Sequence, residues 1–131
     1  MAGQIVRFHG WENDSRLEGT VVGSERRPSL VDSWGKSFSP VGVYLLASVA
    51  VRNAGDEADS VSILTKSFRL QDSAGRSYDL AELGTQMAAL DSLGYPGVQD
   101  DIAPGATVRM AFVFDVPLDA VGVALVSKAP W

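Results

Sequence analysis

Between Val43 and Arg52 the chain is apolar at nearly every position, which constrains its fold more than any other stretch. Successive side chains of an extended strand point to opposite faces, so Val43, Leu45, Ala47, Val49 and Val51 line one of them. Tyr44, Leu46, Ser48 and Ala50 give the other face little polarity, so it too is mostly covered. A strand covered on both faces is an inner strand, with packing layers above and below it. The pattern returns in residues 107–116, where Val108, Met110, Phe112 and Phe114 share a face opposite Ala111, Val113 and Asp115. Pro117 ends that strand by removing a ladder donor.

The other apolar segments are short, rich in Val, Phe and Tyr, and bounded by Gly, Pro, Asn or Asp, which marks strands and turns. Residues 5–11 read as a strand with Val6 and Phe8 on one face and Arg7 and His9 on the other. Residues 17–22 read as a second, and 23–40, with Arg26, Arg27, Pro28, Asp32, Gly35 and Lys36, as a long loop or loose edge segment. The chain reverses at Asn53-Ala54-Gly55-Asp56, where Asn and Gly tolerate positive φ. A weak strand is expected over 61–64. Residues 68–71 and 76–78 flank Asp72-Ser73-Ala74-Gly75, a hairpin in which Asp72 binds backbone and Gly75 takes the left-handed position. Ile102-Ala103-Pro104-Gly105 reads as a turn, and 121–126 as the last strand. No internal repeat is apparent.

Residues 80–93 break this rhythm. Leu80, Leu83, Met87 and Leu90 recur at helical spacing, Ala81, Ala88 and Ala89 favour helix, and Asp79 with Glu82 fits a capping box. Gly84 makes the helix short or irregular, and Gly94-Tyr95-Pro96-Gly97 ends it. About seven strands, one short helical insertion near residues 80–93 and no βαβ alternation predict an all-β, immunoglobulin-like antiparallel β-sandwich. At 131 residues the chain fits one domain, 1–131.

Composition excludes several function classes. A net charge of −5 leaves no clustered Lys and Arg for nucleic-acid phosphates, the only basic pair being Arg26-Arg27. With no cysteine there is no disulfide, thiolate metal site or thiol nucleophile. No apolar run reaches the ~18 residues of a membrane span, and Met1-Ala2-Gly3-Gln4 lacks the charged start and apolar stretch of a signal peptide. The chain is expected to be either a complete cytoplasmic protein or one that begins after a removed export segment.

Chemistry-bearing residues are sparse. His9 is the only histidine and lacks a motif around it, and Ser48 lacks a nucleophile elbow and is expected to bond its own sheet. Asp72, Asp79, Asp100, Asp101 and Asp115 offer oxygen ligands for calcium only if turns bring them together, and turn or capping roles already explain Asp72 and Asp79. No catalytic, cofactor or metal residue is therefore assigned. Trp11, Trp34 and Trp131 are more suggestive, because aromatic rings near loops or ends anchor partners and stack on sugars. Trp34 in its polar segment, Tyr95 beside Pro96, and Trp11 are the candidate partner-binding residues.

Several of these segments together resemble the DUF4352 family: Val49-Ala50-Val51-Arg52-Asn53-Ala54-Gly55, then Phe68-Arg69-Leu70-Gln71-Asp72-Ser73-Ala74-Gly75-Arg76-Ser77-Tyr78, then Pro104-Gly105 and Val113-Phe114-Asp115-Val116-Pro117. The resemblance spans about residues 4–126. It implies an immunoglobulin-like sandwich similar to that of a secreted mycobacterial antigen, found mostly in exported bacterial proteins and lipoproteins. It assigns no activity and no site residues, and this chain lacks the lipobox cysteine of such lipoproteins.

The expected role is a non-catalytic, extracytoplasmic interaction module, secreted or lipid-anchored, with a protein or glycan partner, no nucleic acid and a homodimer open to its edge strands. The alternative is a small-ligand or calcium carrier with a pocket between the helical insertion and the sheet, lined by Met87, Leu90, Leu93 and Tyr95.

Overall fold

The computed structural model describes residues 1–10, 15–61, 68–95 and 101–128. Along the chain run β1 (Ile5–Phe8), β2 (Leu17–Arg27), β3 (Leu30–Val31), β4 (Ser37–Phe38), β5 (Val43–Asn53), β6 (Phe68–Gln71), β7 (Ser77–Asp79), α1 (Leu83–Leu93), β8 (Thr107–Val116) and β9 (Ala124–Ser127). One sheet has the order β1-β2-β5-β8, a second β7-β6-β9, and β3 and β4 form a separate hairpin. Every pairing is antiparallel. Among the described residues the two layers thus hold seven strands, four and three, in an immunoglobulin-like sandwich with one short helix.

Strands β5 and β8 are covered on both faces, as their sequences demand, although β8 is the last strand of its sheet. Val43, Leu45, Ala47, Val49 and Val51 face the core between the sheets, where they meet Met110, Phe112 and Phe114 of β8 and Phe68, Leu70 and Leu125 of the opposite layer. On the other face Tyr44, Leu46 and Val113 pack against Ala88 and Ala89 of α1 and Leu30 of β3. The helix is therefore the cover that the second apolar face needs. Burial pushes the Tyr44 phenol above its ordinary value, although the Thr85 hydroxyl beside it pulls the other way.

Phe68 joins the layers. Its ring lies 4.5 Å from that of Phe8 and 4.6 Å from that of Phe112, both edge-on. All three rings are fully buried, and each edge contact adds about 0.5–1.5 kcal/mol beyond area burial.

Three expectations change. Residues 23–27 are not loop: β2 continues through them, paired with residues 44–48 of β5 after a register shift between Val21 and Gly23. The extra residue, Val22, is exposed, as a bulge in a sheet-edge segment allows. The backbone of β5 requires a partner along its whole length, and this requirement overrides the polarity of Ser24, Glu25, Arg26 and Arg27. Second, α1 begins at Leu83 after Glu82, with no side-chain cap. Asp79 ends β7 instead, its carboxylate held by Lys128 Nζ at 2.9 Å. Third, Ser48 is half-buried and its Oγ accepts from the Tyr95 hydroxyl at 3.4 Å, across to the segment that follows the helix. The strand expected over 61–64 lies outside the described residues beyond Val61.

Asn53 fixes the end of β5. Its Nδ2 donates to the carbonyls of Glu57 and Ile102 at 2.7 and 2.8 Å, and its Oδ1 accepts from the Gly55 amide at 2.8 Å. One buried amide thus sets the reversal and binds it to the turn before β8.

Candidate partner-binding surface

The β3–β4 hairpin is built on Asp32-Ser33-Trp34-Gly35-Lys36. Asp32 Oδ1 accepts from the amides of Trp34 and Lys36 at 2.9 and 2.8 Å. Asp32 N donates to the Lys36 carbonyl at 2.9 Å, Gly35 N donates to that of Asp32 at 3.1 Å, and Gly35 takes φ +82°. A short carboxylate at the first position and a residue free to adopt left-handed φ at the fourth are what this turn requires.

The same turn occurs a second time, between β6 and β7. Asp72 Oδ1 accepts from Ala74 and Arg76 amides at 3.0 and 2.9 Å, Asp72 N reaches the Arg76 carbonyl at 2.9 Å, Gly75 N reaches Asp72 O at 3.0 Å, and Gly75 has φ +84°. Both read Asp-Ser-x-Gly-basic, a shared turn signal that marks residues 32–36 as a hairpin tip once 72–76 is recognised as one. At the third position one turn carries Ala74 and the other Trp34. The backbone thus does not need an indole there.

The indole is not buried either: Trp34 is 90% exposed. Burying a ring of this size removes 150–250 Å² from water, on the order of 4–6 kcal/mol at ~25 cal/mol/Å², which this fold forgoes. The tip itself is held in place, because Ser33 N donates to Asp91 Oδ2 on α1 at 3.2 Å. At the other end of the hairpin a Cβ on Gly84 would lie 3.3 Å from the Phe38 ring, so hairpin and helix run side by side in close contact. Met87 falls between Gly84 and Asp91 at helical spacing, with Leu83 one turn before it. Leu83, Met87 and Val31 are all exposed. Lys36 Nζ sits 5.1 Å above the Phe38 ring, within cation–π range.

Of the other candidates, Tyr95 is half-buried, directly after the left-handed Gly94 that caps α1, with its hydroxyl turned to Ser48. Trp11 lies outside the described residues, as do Pro96, Asp100 and Trp131. Of the residues expected to line a pocket under the helix, Leu90 is buried, Leu93 packs with Ala88 and Ala89 against the sheet, and Met87 is exposed. His9 Nδ1 is within 2.6 Å of the Ser15 carbonyl oxygen.

The carboxylates go to separate partners. Asp72 Oδ2 accepts from Arg76 Nε at 2.7 Å and Tyr78 OH at 2.8 Å, and Asp115 accepts from the amides of Val41 and Gly42 at 2.8 and 3.0 Å. Burial alone would raise the Asp72 carboxyl, but the bonds from Tyr78 and from the amide and guanidinium of Arg76 outweigh it and hold it below the ordinary carboxylate range. Among the described residues no three His, Asp or Glu side chains gather as a metal site, and no helix is long and apolar enough to cross a membrane.

Elsewhere among the described residues the surface carries concavities open to solvent. A groove of about 670 Å³ at one end of β5 and β8 is walled by Val41, Pro117 and Leu118. A polar cleft of about 320 Å³ lies between Ser15 and the 54–59 loop.

Two crystal structures share this fold. The yjhA protein from Bacillus subtilis is 15% identical with a TM-score of 0.63, over 97% of this chain and 80% of that one. A conserved hypothetical protein from Bacillus anthracis is 13% identical with a TM-score of 0.55, over 95% and 83%. A search of the curated proteins found no match. The family model described as a domain of unknown function, DUF4352, matches residues 15–131. That match takes in both Asp-Ser-x-Gly turns, the inner strands and the helix that covers them, and the chain belongs to the DUF4352 family.

Proposed function

We propose that this chain is a non-catalytic interaction module that acts outside the cytoplasm and grips its partner through the tip of the β3–β4 hairpin. The observation that carries this is the 90% exposure of Trp34 on a turn whose twin is built equally well around alanine. An exposed, rigidly mounted aromatic ring is the typical anchor of a binding surface, since its burial on contact releases several kcal/mol at little entropic cost. Placement outside the cytoplasm rests on the exported proteins in which this kind of domain is mostly found.

The test uses a Trp11→Phe, Trp131→Phe variant, in which Trp34 is the only indole. Titration with bacterial envelope glycans and surface proteins should shift its emission to the blue and quench it, and Trp34→Ala should weaken capture of the same component at least tenfold. Equal capture by the wild type and Trp34→Ala would rule the proposal out.

A further inference from the structure

We infer that the partner presents a lysine or arginine flanked by apolar side chains to this hairpin and the adjoining helix. The inference rests on Trp34 being the point of contact. Exposed apolar side chains stand on both elements, Val31 and Trp34 on the hairpin and Leu83 and Met87 on the adjoining helix. Three carboxylates stand in these elements, Asp32 in the hairpin, Glu82 directly before the helix and Asp91 in its last turn, against one cation, Lys36. Lys36 is already placed over Phe38, and the face of Trp34 remains open.

Two of those carboxylates are tied directly to the tryptophan's own backbone segment. Asp32 accepts from the Trp34 amide, and Asp91 accepts from the Ser33 amide next to it. An indole face with carboxylates nearby attracts a cation twice over, through the ring quadrupole and through charge.

The alternatives fit less well. A second copy would bring the same acidic ridge and a net charge of −5 against this one, which costs affinity. A neutral glycan stacked on Trp34 would gain nothing from the charge of the two carboxylates bonded to its backbone segment.

The experiment uses the full chain with Trp34 as its sole indole and three probes: a seven-residue peptide alternating leucine and arginine, the same peptide with glutamate for arginine, and maltoheptaose. The arginine peptide should shift Trp34 emission, and its apparent Kd should rise at least fivefold between 50 and 500 mM salt. Asp91→Asn keeps an acceptor for Ser33 N but loses the charge, and should raise the Kd about threefold, the scale of one exposed charge pair at low salt. No response to the arginine peptide, an equal response to the glutamate peptide, or a response to maltoheptaose alone would each overturn the inference. The role of Trp34 itself is judged separately, by capture of the envelope component with Trp34→Ala.

Discussion

The side-chain amide of Gln86 pairs with Val113 as a neighbouring strand would. Its Oε1 accepts from Val113 N at 3.1 Å and its Nε2 donates to Val113 O at 2.8 Å. Strand β8 pairs with β5 along one edge, and here a helix residue closes the other. Gln86 is 1% exposed and Val113 fully buried, so water cannot replace either bond. Gln4 repeats the device on β9, where its amide exchanges both bonds with the backbone of Leu125. Only a primary amide offers a donor and an acceptor on the spacing of a peptide group.

Gln86→Leu should therefore cost about 1–3 kcal/mol, because it leaves the buried Val113 N–H unpaired, while the Val113 carbonyl keeps the Ala81 amide at 3.0 Å. Urea denaturation monitored by circular dichroism measures this. A loss under 1 kcal/mol would mean that Val113 finds other partners.

Phe68→Ala should lose about 3–5 kcal/mol, the usual range for a large aromatic removed from a core, since it empties the space between Phe8 and Phe112. The same denaturation curves test it, and a smaller penalty would indicate that the two sheets collapse onto the cavity.

Gly42 and Gly23 make opposite predictions for the same substitution. A Cβ on Gly42 would collide with the carbonyl oxygen of Val116, whereas one on Gly23 meets nothing within 4 Å. Gly42→Ala should cost at least about 2–3 kcal/mol, and Gly23→Ala should change stability by no more than about 0.5 kcal/mol. Comparing the two thermal midpoints decides it, and similar values would contradict the close approach.

Acid should weaken the fold through Asp72. Its carboxyl titrates below the unfolded value of 3.8, so its stabilising effect is fully present above that value and is lost as pH falls through the lower, folded one. Urea midpoints taken between pH 6 and pH 2 should drop in the wild type and drop less steeply in Asp72→Asn, which cannot titrate. Parallel curves would remove Asp72 as the cause.

Trp34→Ala should leave stability within about 0.5 kcal/mol of wild type, as expected for a surface position away from packing, because the twin turn holds with Ala74. Calorimetry gives the answer. A fall of more than about 1 kcal/mol would mean that the indole packs somewhere, and the reason for reading it as a partner anchor would go.

Local rules made much of this protein legible before any coordinates. Alternation marked the core faces of β5 and β8, and short-range bonding marked the Asp72 turn with its left-handed Gly75, because a pleated strand and a five-residue turn are set by neighbours in the chain. The exposure of Trp34 is only half legible: its polar segment makes it the best candidate, but the same segment reads as a long loop or loose edge segment and gives no hairpin. Three features came from residues distant in sequence: the second half of β2, the closure of β8 by Gln86, and the tie between Ser33 and Asp91. None has a local signal, since each satisfies a backbone group or a face that only exists once the sheets have come together. Composition could say that a strand like β5 must be covered on both sides; which polar segment would pair with it, and which helix would cover it, followed from the requirement that every buried N–H and C=O find a partner.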